Sequence, residues 1–192
     1  MEDKPQQKQC VRSLHKPSSR ELAFFFASGI LISTPFALYF EQFDSLLPST
    51  LQFIVLGVVL APFIEELAKV FPLFYRHGET ERSIVTLGIL IGLGFGIFEF
   101  FEYVFLLGVP LIDGIPHIIF HASTPAITSY GIAKKKPAPY YLLAVLIHAA
   151  NNFFVAEAAL PIGLLAEWLV IIIVYLLAWN FYHKASKEKI VV

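Results

Sequence analysis

Nine ionisable side chains lie within long apolar stretches of this sequence, where an unpaired charge is costly. A charged group at that depth in a membrane costs at least a few kcal/mol, so each one indicates a partner or a function. Imidazole and carboxylate groups together are typical ligands of a catalytic zinc ion, which makes a bound water acidic enough to attack a carbonyl group. The nine residues are Glu65, Glu66, Lys69, Glu99, Glu102, His117, His121, His148 and Glu167.

The spacing of these residues suggests a role for each. Glu65 precedes Lys69 by four residues, which is the favoured order for a helical ion pair, so we assign Glu65 to partial neutralisation by Lys69. Glu66 is then left as the general base, although the reverse assignment of the two glutamates fits the spacing too. The predicted metal ligands are Glu99, His121 and His148.

Further polar residues accompany this set. Asn152 follows His148 by one helical turn, and its amide could donate a hydrogen bond to a developing oxyanion. We interpret Lys69, Glu102 and His117 as supporting residues around the site, and Glu167 as structural or interfacial.

Other functions fit the same residues. A buried glutamate could activate water without a metal, with the histidines and the asparagine stabilising the intermediate. A transporter or channel could use the carboxylates and histidines to carry protons or metal ions. A non-catalytic protein could keep them to bind a membrane partner.

The composition indicates an all-α integral membrane protein. Hydrophobic residues make up 57% of the 192 residues and charged residues only 15%, well below the share in soluble domains. Six apolar segments have lengths near the 20 residues that span a bilayer as a helix. They are Leu22–Phe40, Leu51–Tyr75, Ile84–Leu107, Pro116–Ala133, Tyr140–Leu160 and Ile162–Tyr182.

The distribution of basic residues predicts the orientation of the helices. All but one of the 14 lysines and arginines fall in the two tails, the second connection and the fourth connection. The remaining connections carry Glu41, Asp44, Asp113 and Glu157 instead. This alternation predicts six spans with both termini in the cytoplasm. We expect basic tails at residues 1–21 and 184–192 around a membrane domain at 22–183.

The same counts limit the partners. The net charge of -1 gives no reason to expect a nucleic-acid partner. The single cysteine, Cys10, excludes an internal disulfide and a cysteine-based metal site. We therefore expect membrane lipid and a membrane-anchored protein or peptide as partners.

Depth and helix packing favour one shared site. Counted from the cytoplasmic end of each segment, Glu66, Glu99, His121 and His148 lie about 13–24 Å deep. Four residues of four helices at a similar depth indicate a common pocket. Glycines at positions 88, 92 and 96 form a strip for close helix approach, which we expect to bring the second and third segments together.

Four short motifs resemble those of a known family. Glu65–Lys69 matches the EExxK signature of the PrsW family of intramembrane proteases, and Phe95–Glu99 matches its FxxxE signature. His117–His121 fits an HxxxH pattern, and His148–Asn152 matches the HxxxN of the wider clan that includes the CaaX prenyl endopeptidases. The resemblance covers roughly residues 60 to 155.

The resemblance implies an intramembrane endopeptidase in a prokaryotic plasma membrane. It also implies a site formed by Glu65, Glu66, Glu99, His121 and His148, with Asn152 in support. Two departures are visible. The CaaX branch has histidine where Glu99 stands, so prenylated substrates are not implied. Phe100 also stands where PrsW-like chains are expected to carry asparagine.

Overall fold

A computed structural model describes residues 16–42, 48, 51–76, 79–156 and 161–191 as a helical bundle. Six helical segments, α1 to α6, make up the described chain. α1 comprises Ser19–Ser28, a π-helical turn at Gly29–Ser33, and Thr34–Glu41. α2 comprises Gln52–Leu60, Ala61–Val70 and Phe71–Tyr75. α3 comprises Glu81–Phe101 and Glu102–Leu106. The last three are α4 at Leu111–Ala133, α5 at Pro137–Ala156 and α6 at Pro161–Lys184.

The prediction of an all-helical chain with six helices is confirmed for these residues. The tail residues Lys4, Lys8, Cys10 and Arg12 and the connection residues Asp44 and Glu157 lie outside them. Pro161 opens α6, a position where its missing N–H costs no hydrogen bond, so the chain does divide between the last two helices.

α4 begins earlier than its apolar run. The predicted start at Pro116 is wrong, because the helix begins at Leu111 and continues through Asp113 and Gly114. Pro116 is therefore an interior residue of the helix rather than part of its first turn. The apolar run places the start of the helix five residues too late, because the helical backbone continues through Asp113 and Gly114.

Four of the described helices are long and apolar enough to cross a membrane, namely Ser19–Phe40, Glu81–Leu106, Pro137–Val155 and Ile162–Lys184. Large apolar side chains are exposed on the outside of the bundle, including Leu31 at 71% and Leu165 at 71%. Apolar surface of this extent suits lipid rather than water. The chain is therefore an integral membrane protein.

The glycine strip of α3 packs against α4, and the prediction that it faces α2 is wrong. A Cβ atom built on Gly92 would lie 2.0 Å from the carbonyl oxygen of His121, and one on Gly88 would lie 1.9 Å from Ser129 Oγ. Only glycine permits so close an approach of two helix backbones. The strip thus sets the distance between Glu99 on α3 and His121 on α4.

The chain after α6 folds back against the start of α3. The backbone N–H of Glu81 donates to the carbonyl of Lys189 at 3.0 Å, and that of Arg82 donates to Ser186 at 2.9 Å. The buried Glu81 carboxylate accepts hydrogen bonds from the Ser186 N–H at 3.0 Å and from Lys134 Nζ at 2.5 Å. Basic residues of the second connection, the fourth connection and the C-terminal tail therefore meet at one end of the bundle.

Candidate functional site

Four helices bring ionisable side chains to one place inside the bundle. α2 contributes Glu65, Glu66 and Lys69, which are 5%, 0% and 0% exposed. Lys69 follows Glu65 by four residues and Glu66 by three, so it lies on the same side of the helix as each of them. α3 contributes Glu99, α4 contributes His121, and α5 contributes His148.

Lys69 connects both glutamates of α2 to α4. Its Nζ lies 2.9 Å from Glu66 Oε1, 3.2 Å from Glu65 Oε2 and 2.8 Å from His121 Nδ1. These contacts use all three donors of the ammonium group. The expectation that Lys69 pairs with Glu65 is confirmed, but the expectation that Glu66 is left free is wrong, because the ammonium group contacts both carboxylates.

Glu66 is enclosed by protein. Its Oε1 accepts from Lys69, from Thr124 Oγ1 at 2.9 Å and from His148 Nδ1 at 2.8 Å. Its Oε2 is buried without a hydrogen-bond partner among the described residues. A carboxylate only accepts, so His148 donates from Nδ1 and keeps the lone pair on Nε2. That Nε2 lies 3.7 Å from Glu65 Oε2.

Glu99 contacts the other histidine. Its Oε2 meets Nε2 of His121, while its Oε1 accepts a hydrogen bond from the Tyr103 hydroxyl at 3.1 Å. Since the Lys69 ammonium only donates, Nδ1 of His121 accepts and Nε2 carries the proton that faces Glu99. The two histidines thus have opposite tautomers, each set by the neighbour of its Nδ1 atom.

A cavity of about 230 Å³ borders this cluster and is called the site cavity below. Its lining includes Glu65, Glu99, His121 and His148 but not Glu66. A second cavity, of about 400 Å³, shares Glu65 and Glu99 with it and extends between α1 and α2. Substrate atoms in the site cavity would therefore meet Glu65 and Glu99, with Glu66 behind His148.

Three side chains fit a metal ion. One ligand atom from each of Glu65, His121 and His148 lies within 4.8 Å of the other two, and all three residues are buried. Two imidazole nitrogens and one carboxylate oxygen are a usual donor set for catalytic zinc. His148 already presents a lone pair on Nε2. Binding through Nε2 of His121 would need the opposite tautomer, with the proton on Nδ1, so Lys69 would have to turn its donor away from that nitrogen.

The remaining predicted residues border the cavities in other ways. Asn152 lines the site cavity, but its Nδ2 donates to the Gly57 carbonyl at 2.8 Å. Glu102 lines the neighbouring cavity. His117 lines the site cavity, and its Nε2 lies 3.9 Å from Glu167 Oε1. The carboxylate that lies with His121 and His148 in the possible metal-ligand set is thus Glu65, whereas the sequence suggested Glu99.

Two residues of the site had no predicted role. Thr124 follows His121 by three residues and donates to Glu66, and Tyr103 follows Glu99 by four residues and donates to it. Both spacings put the residue on the same helix face as its predicted neighbour. A search for hydroxyl groups one turn after each candidate would have found them.

Comparison with protein-family models matches residues 17–179 to the model described as PrsW family intramembrane metalloprotease. No curated protein and no solved structure gives a significant match. The match covers all six helical segments except the last five residues of α6.

Proposed function

This chain belongs to the PrsW family of intramembrane metalloproteases, and on that premise we propose that it is an endopeptidase acting on membrane-anchored proteins or peptides. The observation that carries the proposal is the convergence of Glu65, Glu99, His121 and His148, from four helices, on one cavity inside the bundle. Water and a peptide carbonyl can meet carboxylate and imidazole groups there, away from the surrounding lipid.

The proposed metal ligands are Glu65, His121 and His148, with zinc as the ion that best suits the donor set. When bound, the ion supplies a more acidic water and polarises the peptide carbonyl. Glu66 holds the Nδ1 proton of His148 and so keeps its Nε2 directed towards Glu65. Lys69 offsets the charge of the two adjacent glutamates.

Glu99 is the proposed general base, in place of the Glu66 suggested by spacing. Glu99 borders the site cavity, whereas Glu66 does not. Its carboxylate accepts a proton from the attacking water and returns it to the leaving amine. The Tyr103 hydroxyl holds the other carboxylate oxygen in place at 3.1 Å. In a metal-free variant of the mechanism, Glu65 or Glu99 activates water directly.

We also propose that all six helical segments span the membrane, with both termini in the cytoplasm of a prokaryotic cell. The folded-back tail supports this, because basic residues of two connections and of the C-terminal tail lie together at one end of the bundle. The His148–Asn152 spacing supports a place in the wider clan of CaaX-type endopeptidases.

The test is cleavage of single-span peptides by purified protein in proteoliposomes. Wild-type protein is expected to cut members of a varied peptide panel, and Glu65→Gln and Glu99→Gln are expected to cut none. Glu188→Gln, which changes an exposed carboxylate of the tail, serves as the control. Equal cleavage by all four proteins would refute the assigned site. Ion flux without cleavage would instead support a transporter.

A further inference from the structure

A third cavity, of about 480 Å³, adjoins the site cavity on the side of α6. The two cavities share Tyr103, His117 and Val155 in their linings. A group bound in the third cavity would therefore lie next to a group bound at the site. We call this space the α6 cavity.

The carboxylate of Glu167, on α6, lines the α6 cavity. Glu167 is only 8% exposed. Among the residues that the structure describes, none makes a hydrogen bond to Glu167, and His117 Nε2 at 3.9 Å is too far for one. A carboxylate that lines a cavity and receives no hydrogen bond from the described protein is available to pair with a cationic group that enters the cavity.

The rest of the cavity suits a long cationic side chain. Its walls include Leu164, Trp168 and Pro116, and a second carboxylate, Asp113, lines the same cavity and is exposed. Lysine and arginine bury their methylene stems against apolar surface and bring the charge to a polar group. A neutral or acidic side chain would leave Glu167 unpaired or repelled.

We propose that the α6 cavity is a substrate subsite that selects a lysine or arginine near the scissile bond, with Glu167 and Asp113 as its anionic groups. The inference rests on the proposed peptidase function and adds the chemical class of the substrate residue. Glu167 acts as a specificity residue, since it contacts the substrate and not the reacting carbonyl.

The test is a library of single-span peptides with randomised residues next to the membrane segment, cleaved by the reconstituted protein and sequenced by mass spectrometry. Cleaved peptides are expected to be enriched in lysine and arginine at one fixed position relative to the cut. A charge-assisted hydrogen bond predicts a preference of about tenfold to a hundredfold over glutamine at that position. Glu167→Gln is expected to lower that ratio.

Two comparisons make the result decisive. Tyr175→Phe changes the same helix but lines a different groove, and it should keep the wild-type ratio. Replacing lysine with norleucine in one cleaved peptide tests the preference in wild-type protein, without any variant that has to fold. Cleavage that depends on Glu65 but shows no cationic preference would overturn the subsite and leave the peptidase intact. No cleavage of any peptide would overturn both.

Discussion

Nδ1 of His148 lies 2.8 Å from Oε1 of Glu66, and this contact decides which nitrogen of the histidine faces the site cavity. The carboxylate accepts the Nδ1 proton, so Nε2 is left with its lone pair on the side of Glu65. Histidines that bind metals usually have such a partner behind them. Glu66 therefore prepares His148 for a metal, although it does not border the cavity.

Glu66→Gln is the first prediction that follows. Loss of the carboxylate behind a metal-binding histidine is expected to weaken both metal affinity and peptide cleavage by about 10- to 100-fold. Metal titration and cleavage rates measure the two effects. Thr124→Val removes a different donor to the same oxygen and should have the smaller effect. Normal metal affinity with no cleavage would show that Glu66 acts as the base instead.

Lys69→Met should destabilise the fold. The ammonium group is fully buried and contacts both Glu65 and Glu66, so its loss leaves two buried carboxylates without their lysine partner. Breaking a buried ion pair by removing one partner costs about 3–5 kcal/mol. Unfolding in detergent measures the loss. The double variant Lys69→Met with Glu66→Gln should recover part of it, and wild-type stability of the single variant would contradict the account.

Gly92→Ala tests the contact between α3 and α4. The added methyl group would lie 2.0 Å from the carbonyl oxygen of His121, so the helices must separate. Overpacking of this kind costs about 1–3 kcal/mol, and cleavage should fall because His121 moves relative to Glu99. Thr86→Ala, on the same helix, is the control for stability. Unchanged stability and cleavage in Gly92→Ala would contradict the observed packing.

The hydrogen bond between Lys134 and Glu81 predicts that the folded protein loses stability at alkaline pH. This hydrogen bond to the Glu81 carboxylate raises the pKa of Lys134 above the ordinary value of 10.5. A raised pKa in the folded state gives a contribution that is complete below the unfolded-state pKa and disappears as pH rises through the folded-state pKa.

Unfolding of wild-type protein and Lys134→Met, followed from neutral pH to roughly pH 11, measures this contribution. The variant should be less stable at neutral pH, and its stability should decline less at high pH. Parallel curves for the two proteins would show that the Lys134–Glu81 pair contributes nothing.

The number of helices and the approximate membership of the site were predictable from the sequence. Apolar length indicates a membrane helix directly, and Glu66, Glu99, His121 and His148 share a depth that can be counted. All four do meet in the bundle. The site residues were thus predictable mainly because an ionisable group within an apolar segment costs free energy and indicates a partner or a function.

The direction in which each carboxylate of α2 points was not predictable from the sequence. Glu65 and Glu66 differ by about 100° around α2, and the rotation of that helix depends on what packs against it. In the same way, a strip of glycines predicts close approach without naming the partner, which proved to be α4. Lys69 could pair with either glutamate by spacing, and only the folded structure shows that it contacts both.

Metal content tests the central claim most directly. Elemental analysis of the purified chain should find about one zinc ion per molecule, lost in Glu65→Ala, His121→Ala and His148→Ala. His183→Ala, which changes an exposed histidine at the end of α6, should keep the wild-type content. Wild-type zinc in all three site variants, or no metal in the wild-type chain, would contradict a shared metal site.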